Sequence, residues 1–324
     1  MRRRQLVRGI AVSAATLGLA SAAWQKAGER RDRRRYPPPG RLVNVGGHRL
    51  HIVCAGKGSP TVVVIPAMGA GALDWRDVQR TIAAKTAICV YDRAGLGWSD
   101  SALGLPTAVG MARELRTLLG NAGIRPPFVL VGHSLGGLVA RVFTHLYPGE
   151  VAALALVDSS HPDQPQRLPK VWLRDHRGGK LAEVALEYAR PLGLRRTVQT
   201  LRAETGTGAL TALALSSCKR RAWLKELLAF DAICRQTAAA GRSLRNVPLA
   251  VVTSSERDPK LRRGSRAQRA RSRFYPAWAA LQNELTRLSP DSVHLVSESA
   301  GHHVQRDDPQ LVINAITGLL ERVR

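Results

Sequence analysis

The sequence predicts an α/β protein: a mainly parallel sheet of eight strands wrapped by helices, with a helical segment inserted after the sixth strand. Short β-branched runs recur along the chain from Arg41, and apolar-periodic helical stretches separate most of them. One stretch of roughly 85 residues between Asp158 and Val247 breaks this rhythm, far beyond the usual α/β connection. The 324 residues, 44% of them hydrophobic, suit a globular chain and exclude disorder along its whole length. Beyond the N-terminus there is no apolar run of about 18 residues and no block at a fixed period, which excludes multi-pass membrane proteins and solenoids.

Residues 1–35 read as a targeting segment and stand outside the fold. Arg2, Arg3, Arg4 and Arg8 precede an apolar stretch from Gly9 to Trp24, and Arg30 to Arg35 follow it. Arg3-Arg4-Gln5-Leu6-Val7-Arg8 resembles a twin-arginine export motif, and Ala20-Ser21-Ala22 a small-x-small cleavage site. A cleaved export signal is expected. An uncleaved anchor, which would associate the N-terminus with a membrane, and a basic disordered tail are the alternatives. Export would place the protein in the periplasm or outside the cell.

Tyr36-Pro37-Pro38-Pro39-Gly40 is a stiff linker. Strands are expected at Leu42–Val45 and Arg49–Cys54, joined by a hairpin because Gly46-Gly47 supplies positive φ. Thr61–Ile65 is a continuous β-branched run, the pattern of a strand buried on both faces. Thr86–Tyr91, Phe128–Gly132, Val151–Asp158, Val247–Thr253 and Ser292–Val296 complete the eight. Val109–Asn121 carries Met111, Leu115, Leu118 and Leu119 on one side, and Leu311–Val323 is a closing helix. The predicted layout is a core of residues 36–160 and 247–324 with a helical lid at 161–246. In that lid Trp223, Leu224, Leu227, Leu228 and Phe230 form one apolar face, which either packs on the core or roofs a pocket.

The formal charge is +25, from 49 Lys and Arg against 24 Asp and Glu. Such a balance suits phosphate contacts, but no helix-turn-helix, zinc-finger or aromatic RNA-binding signature accompanies it, so no nucleic-acid partner is expected. The lid's own excess of basic residues reads as a solvated face, with attraction of anionic surfaces or substrates as the alternative. No H-E-x-x-H, paired C-x-x-C or strand-linked G-x-G-x-x-G is present, so neither metal nor cofactor is expected.

The chemistry is carried by Phe128-Val129-Leu130-Val131-Gly132-His133-Ser134-Leu135-Gly136-Gly137. This is G-x-S-x-G between a buried strand and a helix start, where a sharp turn lifts the Ser134 hydroxyl above the strand ends. Gly132 and Gly136 leave room for strand and helix to pass, and the Leu135 amide points at a developing oxyanion.

With this elbow the chain resembles the α/β-hydrolase fold family, over nearly everything from Tyr36 to Val323. Pro60–Trp75, Tyr91-Asp92-Arg93-Ala94-Gly95-Leu96-Gly97-Trp98-Ser99-Asp100, Gly132–Gly137 and Ser299-Ala300-Gly301-His302 look like segments of a bacterial group of exported or membrane-linked hydrolases. The resemblance implies the chain order Ser, acid, His. It places the base at His302 after Gly301, with His303 pointing elsewhere and His133 packing beside the site. For the acid it gives Asp258 first, in the loop after the seventh strand, and Asp158, at the end of the sixth, second. It puts the second oxyanion donor at the Met68 amide, although Pro66-Ala67-Met68-Gly69 departs from the His-Gly common in the family. Asp92-Arg93 is read as a structural, hydrogen-bonded pair.

The implied activity is serine hydrolysis of an ester-like or other acyl bond in a small-molecule substrate, through an acyl-enzyme. The same triad also serves amidases, cofactor-free haloperoxidases and lyases, and a non-catalytic exported binding protein remains a different class. Ser134 argues against the branches whose elbow carries Asp. Two disulfides, Cys54–Cys89 and Cys218–Cys234, are open possibilities against four buried thiols.

Overall fold

In a computed structural model, which describes residues 2–168, 217–256 and 261–323, eight strands form one sheet in the order β1-β2-β4-β3-β5-β6-β7-β8. They are β1 (Arg41–Asn44), β2 (Arg49–Ala55), β3 (Thr61–Ile65), β4 (Ile88–Tyr91), β5 (Phe128–His133), β6 (Val151–Val157), β7 (Leu249–Thr253) and β8 (Ser292–Val296). β2 runs antiparallel to both β1 and β4, and all other pairings are parallel. Gly46 and Gly47, at φ 97° and 86°, make the turn between β1 and β2 as their sequence predicts.

The β-branched runs have the period of a strand, so alternate side chains supply two cores. Val63, Ile65 and Leu130 face one layer, while Val62, Val64, Val129 and Val131 face the other. The first layer holds helices α3 (Ala108–Asn121) and α4 (Leu135–Leu146), and Met111, Leu115, Leu118 and Leu119 are buried on it as their spacing predicts. The second holds α2 (Arg76–Ile82) and α9 (Pro309–Arg322). Thr107 caps α3 by accepting from the Gly110 amide at 2.9 Å, and Asp308 caps α9 through the Leu311 amide at 3.2 Å.

Between β6 and β7 the described residues hold two helices, the short α5 (Gln164–Arg167) and α6 (Ser217–Ala240); positions 169–216 lie outside them. Helix α6 both packs and roofs. Ala229, Ile233 and Cys234 join the first core, while Leu227 and Phe230 border the cavity described below. Helices α7 (Arg266–Leu285) and α8 (Val304–Asp307) flank β8 in sequence. At the N-terminus α1 spans Arg2–Arg35, and among the described residues no helix is long and apolar enough to cross a membrane.

Cys54 and Cys89 stand directly opposite one another in the β2–β4 ladder and form a disulfide. Cys218 and Cys234 do not, and the pairing considered for them is corrected. Both lie on α6 and are free, and sixteen residues of continuous helix separate them by about 24 Å. Closing the 35-residue separation is worth roughly 3–4 kcal/mol in chain entropy. Alkylation in denaturant without reductant should therefore label two thiols per chain, Cys218 and Cys234. Four labelled thiols would show that the ladder pair is not bridged.

Candidate active site

The parallel strands end on one edge of the sheet, and that edge gathers the chemistry. Ser134 follows β5 at φ 52°, ψ −121°, a strained conformation for a residue with a side chain. The turn is held by Ser134 N–H donating to Val157 O at 3.2 Å and by the Gly137 and Ser160 amides donating to Ser134 O at 2.9 and 3.0 Å. A Cβ on Gly132 would press on Gly136 and Gly137, and one on Gly136 would strike the Ile65 and Pro66 carbonyls. Both glycines are therefore required by the close approach of strand and helix. The Leu135 amide opens α4, and amides of a first helical turn have no intrahelical acceptor.

His302 lies in the loop after β8, and its Nδ1 meets Asp158 Oδ2 at 2.6 Å. Asp158 directly follows β6, is buried, and has φ 38°. Its other oxygen, Oδ1, accepts from Trp278 Nε1 at 2.8 Å and from the Ser254 amide at 2.9 Å. Burial alone would raise the Asp158 carboxyl. The hydrogen bond and charge of His302, with the Ser254 and Trp278 donors, outweigh it and hold the carboxyl below its ordinary value. An ionised Asp158 accepts only, so His302 Nδ1 donates to it, and in the neutral imidazole Nε2 is then the acceptor.

Asp158 is the acid placed second by the sequence; Asp258, placed first, falls in 257–260, outside the described residues. Trp278 and Ser254, which orient Asp158, escape sequence reasoning because their partner lies about a hundred residues away along the chain.

His133 packs beside His302, ring centroids 5.0 Å apart, and its Nε2–H donates to the His302 carbonyl at 2.8 Å. His303 borders the same cavity, and its Nδ1 is buried without a hydrogen-bond partner among the described residues. Burial, then the charges of His302 and His303, push His133 well below its ordinary pKa. A base with a depressed folded pKa stays neutral in the fold while the unfolded chain takes up the proton. Its stability contribution is complete above about pH 6.5 and shrinks below it by about 1.4 kcal/mol per pH unit. The Tm difference between wild type and His133→Phe should therefore narrow from pH 7 to pH 5. A difference independent of pH would contradict a neutral, buried His133.

Ser134, Asp158, His302 and His303 border a cavity of about 520 Å³, walled by Met68, Leu227, Phe230, Leu261, Phe274 and Trp278. Its polar lining includes Gln164, Asp231, Ser254 and Arg271. Ala67 and Met68, in the loop after β3, close one side.

Asp92 and Arg93 are structural, but their pairing is corrected. Neighbouring residues at a strand end point to opposite sides, and each finds a different partner. Asp92 Oδ2 accepts from His51 Nδ1 at 2.8 Å, and Asp92 Oδ1 accepts from the Ala72 amide at 2.7 Å. Because the Gly40 amide donates to His51 Nε2 at 3.1 Å, Nδ1 is the protonated nitrogen. Arg93 instead meets Glu226 of α6, with Nε donating to Oε1 at 2.6 Å.

The alpha/beta hydrolase fold family model matches residues 60–221. Among curated relatives, "Probable transporter efuK" of Hormonema carpetanum is 33% identical over 143 residues, 40% of this chain and 20% of that protein. The chain thus spans only about a fifth of that relative's length. An AB hydrolase superfamily protein of Gibberella zeae is 25% identical over 276 residues, 77% of this chain and 83% of that one. Among solved structures, an esterase from Thermogutta terrifontis shares the fold with a TM-score of 0.62 at 22% identity, over 87% of this chain and 98% of that one. Together with the eight-stranded sheet and the serine elbow after β5, these matches establish that the chain belongs to the alpha/beta hydrolase fold family.

Proposed function

We propose that the protein is a serine hydrolase that cleaves an ester-like or other acyl bond, with Ser134 as nucleophile, His302 as base and Asp158 as the acid that orients it. The observation that carries this reading is the 2.6 Å bond from His302 Nδ1 to buried Asp158, at the cavity that Ser134 also borders. His302 Nε2 takes the proton of Ser134 Oγ as the oxygen attacks the acyl carbon. The resulting oxyanion is met by the Leu135 and Met68 amides. Collapse breaks the bond to the leaving group, which departs with the proton from His302, and leaves an ester on Ser134. Water then attacks that ester with His302 again as base, releasing the acid and restoring Ser134.

The largely apolar wall supports an uncharged acyl chain of modest length as substrate. The export reading is retained: Arg3-Arg4 and the Cys54–Cys89 bridge both suit an oxidising compartment. A series of p-nitrophenyl esters of increasing acyl length tests the reading. Turnover should rise from acetate to a medium chain and fall once the chain outgrows the cavity. Turnover independent of acyl length would show that the cavity does not receive the acyl group.

A further inference from the structure

The loop that would supply the second oxyanion donor, Pro66-Ala67-Met68-Gly69, is not braced by its own strand alone. Arg93, which follows β4, donates from Nη1 to Pro66 O at 2.5 Å and from Nη2 to Ala67 O at 2.7 Å. The same guanidinium binds Glu226 Oε1 through Nε. Glu226 Oε2 in turn accepts from the Gly69 amide at 2.9 Å. Arg93 and Glu226 are both buried, with side chains 3% and 5% exposed, so each charge depends on the other. Met68 is thus fixed from both ends, with two carbonyls before it held by Arg93 and the amide after it held by Glu226.

Glu226 does not come from the core. It sits on α6, next to Leu227 and one turn before Phe230, the apolar α6 residues that wall the cavity. Gly69 has φ 67°, and a Cβ there would strike the Trp223 ring, so the loop turns tightly under this helix. One turn of α6 therefore both bounds the acyl cavity and grips the oxyanion loop.

We infer that Glu226 is a positioning residue: by holding the Gly69 amide and the Arg93 guanidinium together it sets the Met68 amide toward the oxyanion, and it makes that placement depend on α6 being docked. This rests on the hydrolase reading above. Binding that pushes on Leu227 or Phe230 acts on the same helical turn that fixes the donor, so an acyl group seated in the cavity and a formed oxyanion site become coupled. Glu226 touches no reacting atom in this arrangement. Its effect passes through backbone amides two and three residues from Pro66.

The test combines kinetics with amide hydrogen exchange on the full chain carrying Glu226→Ala, Glu226→Gln or Leu227→Ala. Loss of an oriented oxyanion donor costs on the order of a hundredfold in kcat. Glu226→Ala should therefore lower kcat by about ten- to a hundredfold with KM changed by less than about threefold, and should speed exchange at Gly69. Glu226→Gln keeps an acceptor for Gly69 but loses the charge that Arg93 needs, so it should show the same pattern at smaller amplitude; it also serves if the alanine variant does not fold. Leu227→Ala should raise KM and leave Gly69 exchange unchanged. Unaltered Gly69 exchange in both Glu226 variants would overturn the inference, as would a loss confined to KM. Because exchange is read without substrate, a wild-type protein that hydrolyses no ester would count against the hydrolase reading and still leave the Glu226 bond to be judged by Gly69 protection.

Discussion

Ser134→Ala and His302→Ala should each lower kcat for acyl-bond hydrolysis by about a thousandfold or more, while the fold survives. The losses should be nearly equal, because a nucleophile and its base act as one unit: without Nε2 to take its proton, a serine hydroxyl is a poor nucleophile near neutral pH. Ser134 is held by its backbone, through Val157, Gly137 and Ser160, so truncating its side chain leaves the turn in place. His302 is partly exposed and packs at its rim against His133 and Trp278. His303→Ala should cost far less, since among the described residues His303 Nδ1 has no hydrogen-bond partner, and Asp158 is bonded to His302. Steady-state kinetics on a medium-chain ester, with circular dichroism to verify folding, distinguishes these outcomes. A severe loss in His303→Ala with a mild one in His302→Ala would move the base.

Asp158→Asn should give the second large effect, a fall in kcat of about a thousand- to ten-thousandfold. An asparagine keeps an oxygen for Trp278 Nε1 and the Ser254 amide, but its NH2 faces His302 Nδ1. The imidazole must then accept at Nδ1 and carry its proton at Nε2, the tautomer that cannot take a proton from serine. Packing volume is unchanged, so stability should fall only by the lost charge-assisted bond, on the order of 1.5–3 kcal/mol. Asp258→Asn should leave turnover close to wild type. Kinetics of the two variants side by side decides between the acids; the reverse pattern would transfer the role to Asp258.

That choice illustrates what the sequence could carry. β-branched runs and the glycine-flanked serine are local signals, so the strands are legible to within about two residues and the Ser134 elbow to the residue. The choice between the two acids is not legible in the same way, because β6 and β7 are adjacent and parallel, and loops after both open on the same edge. Chain position cannot separate Asp158 from Asp258 there. What singles out Asp158 is its set of partners, Ser254, Trp278 and His302, contributed by three other parts of the chain. Sequence adjacency likewise suggests Asp92 as the partner of Arg93, whereas its partner Glu226 lies 133 residues later on α6. Cys218 and Cys234 were near in sequence but sit on a continuous helix, which keeps near neighbours apart. Local pattern specifies elements, and the pairings between them follow from topology and burial.

In the proposed mechanism Ser134, activated by His302, is the group that attacks the substrate. The most direct test of that role is peptide mapping by mass spectrometry after brief treatment with a fluorophosphonate. The account predicts a single phosphonyl adduct on the peptide containing Ser134 in the wild-type protein, with labelling slowed at least a hundredfold in His302→Ala and in Asp158→Asn. An adduct on another residue, or labelling of Ser134 at the wild-type rate in both variants, would contradict it.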